Sequence, residues 1–144
     1  MQSVGQAMHD LAKELWPIPR SVTGAGVRET LAILKREIPA MTLREVPTGT
    51  KCFDWTVPRE WVIRDAYIVG PDGKKFAEFK KNNLHLVGYS VPMDEEMDLD
   101  SLQKNLHSLP AQPNAIPYVT SYYKEGWGFC LSDNERSSLK PGKY

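Results

Sequence analysis

The chain has 144 residues, of which 41% are hydrophobic and 25% are charged, and this composition is typical of a globular domain with a core. Its 18 basic and 18 acidic residues balance, which argues against a nucleic-acid binder, because such proteins need a surplus of basic residues. No apolar run approaches the roughly 20 residues of a membrane helix, and the N-terminus lacks the apolar stretch of a signal peptide. We therefore expect a cytoplasmic protein with no membrane contact, in which Cys52 and Cys130 are reduced thiols.

Two amphipathic helices are predicted at the N-terminus. Apolar residues at three- and four-residue steps predict one helix over about 3–16, which Pro17 ends, and a second over about 26–38, which ends before Pro39. Two helices of this length cannot bury both apolar faces against each other. They need the rest of the chain or further polypeptide.

The loop between these helices contains the sequence Thr-Gly-Ala-Gly at 23–26. A phosphate-binding glycine loop follows a strand, whereas here a helix and two prolines precede the glycines. The loop is therefore interpreted as a helix–helix connection, with Thr23 as a candidate cap. Arg20 and Arg28 flank the N-terminus of the second helix, so an anion or carboxylate site there stays open.

Beyond residue 40 the pattern changes to short strands. Alternating apolar and polar residues over 41–47 predict a half-buried strand. The Gly-Pro-Asp-Gly turn at 70–73 predicts a hairpin, and 84–91 is predicted as a further strand.

The last third of the chain is predicted to contain one short helix and two strands. The helix lies within 97–109, with Asp98 or Asp100 near its start, and would end before Pro110. Aromatic-rich strands at 115–123 and 127–132 should flank a turn, and the polar tail shows no closing element. The predicted fold class is α+β: a helical segment, 1–46, followed by a β-rich segment, 47–144.

No metal site is predicted. None of His9, His85 and His107 has the spacing of a zinc motif or lies near a cysteine pair. The acidic run over 94–100 lacks the glycine of a calcium loop and is interpreted as a solvated helix start. His85 interrupts an apolar strand, and it is either a strand histidine with satisfied hydrogen bonds or a site residue.

An aromatic segment near the C-terminus could line a ligand pocket or a domain interface, or could simply pack a core. Its members are Tyr118, Tyr122, Tyr123, Trp127 and Phe129. No nucleophile and base can be paired from the sequence, so the catalytic residues stay unknown.

Four segments together resemble one known family: LWPIPRSVTGAGVRETL, VPTGTKCFDWTVPREWVIRDAYI, NLHLVGYSVP and LHSLPAQPNAIPYVTSYYKEGWGFCLS. In the same order over nearly the whole chain, they are similar to the N-terminal part of prokaryotic zinc-aminopeptidase-like proteins, sometimes labelled polysaccharide-biosynthesis aminopeptidases. The resemblance implies that residues 1–46 begin an α/β peptidase domain and that 47–144 form an inserted β-rich domain of unknown function. The family's zinc ligands would lie beyond Tyr144, so none is assigned to this chain.

The resemblance also implies a hydrolase that removes an N-terminal residue from a peptide or small amide, with the β-rich domain capping or gating the active site. This chain would then be a fragment that is inactive alone. Candidates for facing the cleft are Arg20, Thr23, Arg28, His85, Tyr122, Tyr123 and Trp127. The alternative is a non-catalytic interaction or dimerisation module, including a homo-oligomer, in which the aromatic residues form the interface.

Overall fold

The computed structural model describes residues 3–21, 23–122 and 124–144. It has mixed α+β structure, as predicted, and its contacts divide the chain into two compact units, residues 1–62 and 63–144. The division lies later than the predicted start of the β-rich segment, because residues 47–62 group with the two helices. The assignment of 1–46 and 47–144 to different domains stays a prediction.

Both predicted helices of the first unit are confirmed. Helix α1 spans Val4–Leu15 and helix α2 spans Ala25–Glu37. Ser3 caps α1 by accepting a hydrogen bond from a first-turn backbone N–H at 3.2 Å. In the last turn of α2, Arg36 donates to both carboxylate oxygens of Glu14 at 2.9 and 2.7 Å, which ties α2 to α1.

The first unit also contains a hairpin that the sequence did not predict. Strand β1, Lys51–Cys52, pairs antiparallel with β2, Trp55–Thr56. Phe53 in the turn is fully exposed and has a φ of 55°, a left-handed conformation that is unusual for a bulky residue. The predicted strand over 41–47 is wrong, since these residues have no regular secondary structure and most of their side chains are exposed. An alternating pattern forms a strand only where a neighbouring strand supplies partners.

The predicted hairpin of the second unit is confirmed. Strand β3, Ile68–Val69, pairs antiparallel with β4, Lys75–Phe76. In the turn between them, Asp72 Oδ1 accepts a hydrogen bond from the Lys74 backbone at 3.1 Å, and Gly73 has a φ of 75°. These are the features that the Gly-Pro-Asp-Gly sequence favours.

Other predicted strands of this unit are shorter or differently paired. Strand β5, Leu106–His107, pairs in parallel with β6, Phe129–Cys130, so part of the segment 97–109, predicted as helix, is a strand. The predicted strand over 115–123 is wrong. Its described residues contribute one isolated bridge, from Thr120 to Gly88, and do not pair with β6. The segment 84–91 begins with a 3₁₀ turn at Asn83–His85 instead of a strand.

Two short helices complete the second unit. Helix α3, Leu99–Gln103, begins after Asp98, whose side chain accepts a hydrogen bond from the Ser101 backbone at 2.9 Å, so the predicted start is confirmed. Helix α4, Asp133–Ser137, lies in the tail that was predicted to lack a closing element. Its reciprocal capping box between Ser132 and Glu135 was readable in the sequence as Ser-Asp-Asn-Glu.

The hydrophobic core lies almost entirely in the second unit. Its central cluster consists of Ile68, Ala77, Leu102, Leu106 and Leu131. In the first unit, Ile18 is the buried hydrophobic residue among those described, and α1 has no buried residue. Val4 and Met8 on α1 are 78% and 67% exposed, as expected for helices that cannot cover both apolar faces. No helix in the described ranges is long and apolar enough to cross a bilayer.

Candidate functional site

The glycines of the opening loop are explained by close packing of backbone on backbone. A Cβ atom at Gly26 would lie 2.2 Å from the Pro19 carbonyl oxygen, and one at Gly24 would lie 3.1 Å from the Trp61 carbonyl oxygen. Gly24 also has a φ of 134°, which side chains disfavour. The loop joins α1 directly to α2, which confirms its interpretation as a helix–helix connection.

Thr23 does not cap α2. Gly24 occupies the N-cap position and no side chain satisfies the cap there. The Thr23 hydroxyl instead donates to the Arg59 carbonyl oxygen at 3.2 Å, within the same unit. This hydrogen bond therefore links the loop to the segment that precedes Trp61.

Arg28 binds a carboxylate of its own chain. Its guanidinium makes a bidentate ion pair with Glu60, at 2.5 and 2.9 Å. Hydrogen bonding to this guanidinium holds the pKa of the Glu60 carboxyl below its usual value. Arg20 donates to the Leu15 carbonyl oxygen at the end of α1. Both arginines are thus engaged within the first unit, and their contact with a substrate stays a prediction.

His85 has a clear structural hydrogen bond. Its Nδ1 lies 2.8 Å from the Cys130 carbonyl oxygen, which can only accept, so Nδ1 carries the proton in this contact. The bond fixes the ring against β6, and His85 is a hydrogen-bonded residue of the 3₁₀ turn, not of a strand as predicted. A role for His85 in a site stays a prediction.

The aromatic segment divides into members with different surroundings. The Tyr122 ring meets the Tyr89 ring edge to face, with ring centres 4.8 Å apart and planes at 75°. Trp127 packs against the hydrophobic core cluster of the second unit. Tyr118 is 74% exposed, and Tyr123 lies outside the described residues. Core packing therefore explains Trp127, whereas Tyr122 belongs to a separate aromatic pair.

Tyr89 is the member of this region that the sequence did not single out. It has a φ of 66°, and the turn around it is held by backbone hydrogen bonds on both sides. Val87 donates to the Gly128 carbonyl oxygen at 3.0 Å, and the Gly88 carbonyl oxygen accepts from Ser121 at 2.9 Å. A left-handed tyrosine persists only where the surroundings fix the backbone. The partners are more than 30 residues apart in sequence, and no local pattern reveals such a pairing.

The residues that the structure describes do not fit a zinc site. Among the described parts of the chain, no group of three histidine, cysteine, aspartate or glutamate side chains could hold a metal ion. Zinc binds the thiolate form of cysteine, but burial raises the pKa of the Cys130 thiol to about 11. Nδ1 of His85 is already engaged with the Cys130 carbonyl group.

The buried Cys130 thiol predicts a loss of stability at alkaline pH. In the unfolded chain it ionises near its ordinary pKa of 9.0, and in the folded protein only near 11. Below pH 9.0 the protonated thiol therefore contributes about 2–3 kcal/mol to the free energy of unfolding. This contribution is lost as the pH rises towards 11.

This prediction is checked by urea denaturation between neutral and alkaline pH, with Cys130→Ala as the control. The wild-type protein should lose more stability than the variant across this pH window. At neutral pH the variant already has a lower free energy of unfolding, because the substitution leaves a cavity. Parallel pH profiles for the two proteins would contradict it.

Comparisons with known proteins give a family model, a curated relative and a solved structure. A family model described as a domain of unknown function, DUF2172, matches residues 60–144. A Clostridium acetobutylicum protein described as "Putative polysaccharide biosynthesis protein with aminopeptidase-like domain" is 49% identical over 140 residues, which cover 97% of this chain and 32% of that protein. A crystal structure described as a "putative peptidase" from the same species matches with a TM-score of 0.92 and 49% identity, over 97% of this chain and 33% of the other. The chain spans about a third of the length of these relatives.

Proposed function

The chain belongs to the DUF2172 family, and from this membership we propose that it is the N-terminal part of a peptidase-like hydrolase. The observation that carries the proposal is the match to long relatives named as aminopeptidase-like and as a peptidase, at 49% identity over 97% of the chain. The TM-score of 0.92 indicates that this chain and the matched third of that protein have the same backbone fold. The predicted resemblance to aminopeptidase-like proteins agrees with these names at the level of a peptidase-like protein.

In this proposal the substrate is a peptide or a small amide, cleaved after its N-terminal residue. Such hydrolases use zinc to activate water. The ligands of the metal would come from the part of the long relatives that this chain does not cover, since the described residues contain no group of three side chains that could hold a metal ion. The 144-residue chain alone would then be inactive. The β-rich segment, 47–144, would cap or gate the cleft, with Tyr122 and Trp127 as candidates for facing it.

A chimera tests this proposal directly. The matching third of the Clostridium acetobutylicum relative is replaced by this chain, and hydrolysis of aminoacyl nitroanilides is measured with and without a zinc chelator. We expect chelator-sensitive turnover in both the relative and the chimera, and none in the 144-residue chain. If neither long protein shows chelator-sensitive release of an N-terminal residue, the hydrolase proposal is wrong.

The gating role has its own readout in the same chimera. Trp127→Ala should raise KM for the nitroanilide substrates, and Tyr118→Ala, at a residue 74% exposed, serves as the control for removal of an aromatic ring. Because Trp127 also packs on the core, the unfolding midpoint is measured in parallel. A variant that is less stable but has an unchanged KM at a temperature where it is folded would leave Trp127 with a purely structural role.

The alternative, a non-catalytic interaction or dimerisation module, is favoured by the exposed apolar side chains of the first unit. Trp16 is 69% exposed and Phe53 is 100% exposed at the hairpin turn. Exposed aromatic side chains are enriched in protein–protein contacts. Sedimentation of the chain and of Phe53→Ser tests it. Self-association that this substitution weakens, together with an inactive chimera, would favour the module over the hydrolase.

A further inference from the structure

Arg136 in helix α4 is held in a fixed orientation by three hydrogen bonds. Its Nε donates to the Gln103 side-chain oxygen at 2.7 Å, and its Nη2 donates to the Gln103 carbonyl oxygen at 3.1 Å. Its Nη1 donates to the Ser108 hydroxyl at 3.3 Å. The side chain is partly buried. The plane of the guanidinium is therefore set by residues from the end of α3 and from the segment after β5.

This guanidinium lacks a carboxylate partner. Within the described ranges, none of the ion pairs involves Arg136. The Asp133 carboxylate instead accepts the Ser108 hydroxyl at 2.7 Å, so this hydroxyl lies between the two charges. In the described residues the contact of Arg136 with a carboxylate is therefore indirect, through this hydroxyl, and a carboxylate bound directly would stabilise the partly buried charge further. An arginine has five N–H donors, and the three bonds above leave two of them available.

We propose that Arg136 forms a binding site for a carboxylate ligand, which would dock on the two remaining N–H donors. A planar carboxylate matches the planar guanidinium and accepts two parallel hydrogen bonds. A singly charged ligand also suits a single cation next to Asp133, since a phosphate would bring more negative charge close to that carboxylate. The site is separate from the proposed hydrolase activity and does not depend on it.

The neighbouring His107 supplies a reporter for binding. Burial lowers the pKa of His107, and the charge of Arg136 lowers it further. A carboxylate bound to Arg136 would offset that charge, so the pKa of His107 should rise when the ligand binds. A ligand bound elsewhere on the surface would leave the pKa of His107 unchanged.

The test is an NMR titration of the full chain with sodium acetate against sodium chloride at equal ionic strength. The Arg136 Nε–H signal and the His107 ring signals are followed. We expect a saturable acetate response that chloride does not reproduce, with a rise in the pKa of His107. Trialanine and its C-terminal amide form a second arm: tighter binding of trialanine than of acetate assigns a peptide terminus, and equal binding assigns a small free carboxylate.

Four variants make the titration decisive. Arg136→Gln should abolish saturable binding, and Arg136→Lys should weaken it by about tenfold, because the ammonium lacks the planar fork. Lys104→Gln, which removes an exposed cation next to α3, should leave affinity within about twofold. Asp133→Asn keeps the acceptor for Ser108 but removes the repelling charge, so it should tighten binding by a few-fold.

The Asp133→Asn result tests the proposal even if Arg136→Gln fails to fold. An acetate response that matches chloride, or that is unaffected by both Arg136→Lys and Asp133→Asn, would overturn it. Phosphate binding about tenfold tighter than acetate would also overturn the assignment of a carboxylate ligand.

Discussion

Replacement of Gly26 by alanine is expected to destabilise the first unit by about 2–4 kcal/mol. The new methyl group would lie 2.2 Å from the Pro19 carbonyl oxygen, 2.8 Å from the Pro19 carbonyl carbon and 3.3 Å from the Arg20 nitrogen. All three are backbone atoms, so no side-chain rotation relieves the overlap. Because Gly26 lies in α2, where alanine is intrinsically the better residue, a loss of stability can only come from the close approach.

Gly5→Ala is the matched control, since Gly5 lies in α1 and a Cβ there would meet nothing within 4 Å. It should gain about 0.5–1 kcal/mol from helix propensity. Urea denaturation and hydrogen exchange of the α2 amides measure both changes. If Gly26→Ala is as stable as the wild type, the backbone contact between the loop and α2 is not tight in solution.

Leu131→Ala is expected to lower the unfolding free energy of the second unit by about 3–4 kcal/mol. Leu131 is 0% exposed and belongs to the central cluster with Leu102 and Leu106. Truncation removes apolar contacts and leaves a cavity that surrounding residues fill only in part. Its own backbone N–H donates to the His107 carbonyl oxygen at 2.9 Å, so looser packing should also expose the pairing of β5 with β6.

Leu109→Ala provides the same chemical change at a residue that is 41% exposed. Its effect should stay within about 0.5 kcal/mol. Hydrogen exchange of the Phe129 and Leu131 amides measures how far each substitution loosens the pairing, because each of these N–H groups donates a hydrogen bond to the segment of β5. Equal effects of the two substitutions would mean that Leu131 does not lie in the organising core.

Local sequence signals predicted the elements whose hydrogen bonds are local. Apolar spacing and prolines located α1 and α2, and the turn at 70–73 located the β3–β4 hairpin. The prediction of a strand over 41–47 was wrong because a strand forms only beside a neighbouring strand, and the local pattern does not show whether one is present. Helix α4 was missed although its capping box is local, so that error lay in the interpretation of a polar tail.

The features of the candidate site also divide into those that local sequence signals indicated and those that depend on tertiary contacts. The sequence by itself determined the α+β class, the two helices with their glycine junction, and the resemblance to peptidase-like proteins, because these depend on residues close together in the chain. Only the tertiary structure decided that Arg28 binds Glu60, that Tyr122 packs on Tyr89, and that Gln103 fixes the orientation of Arg136. Each of these pairs is separated by about 30 residues. Their contacts arise from packing, and no periodicity or spacing in the sequence encodes which distant side chain fills a given place.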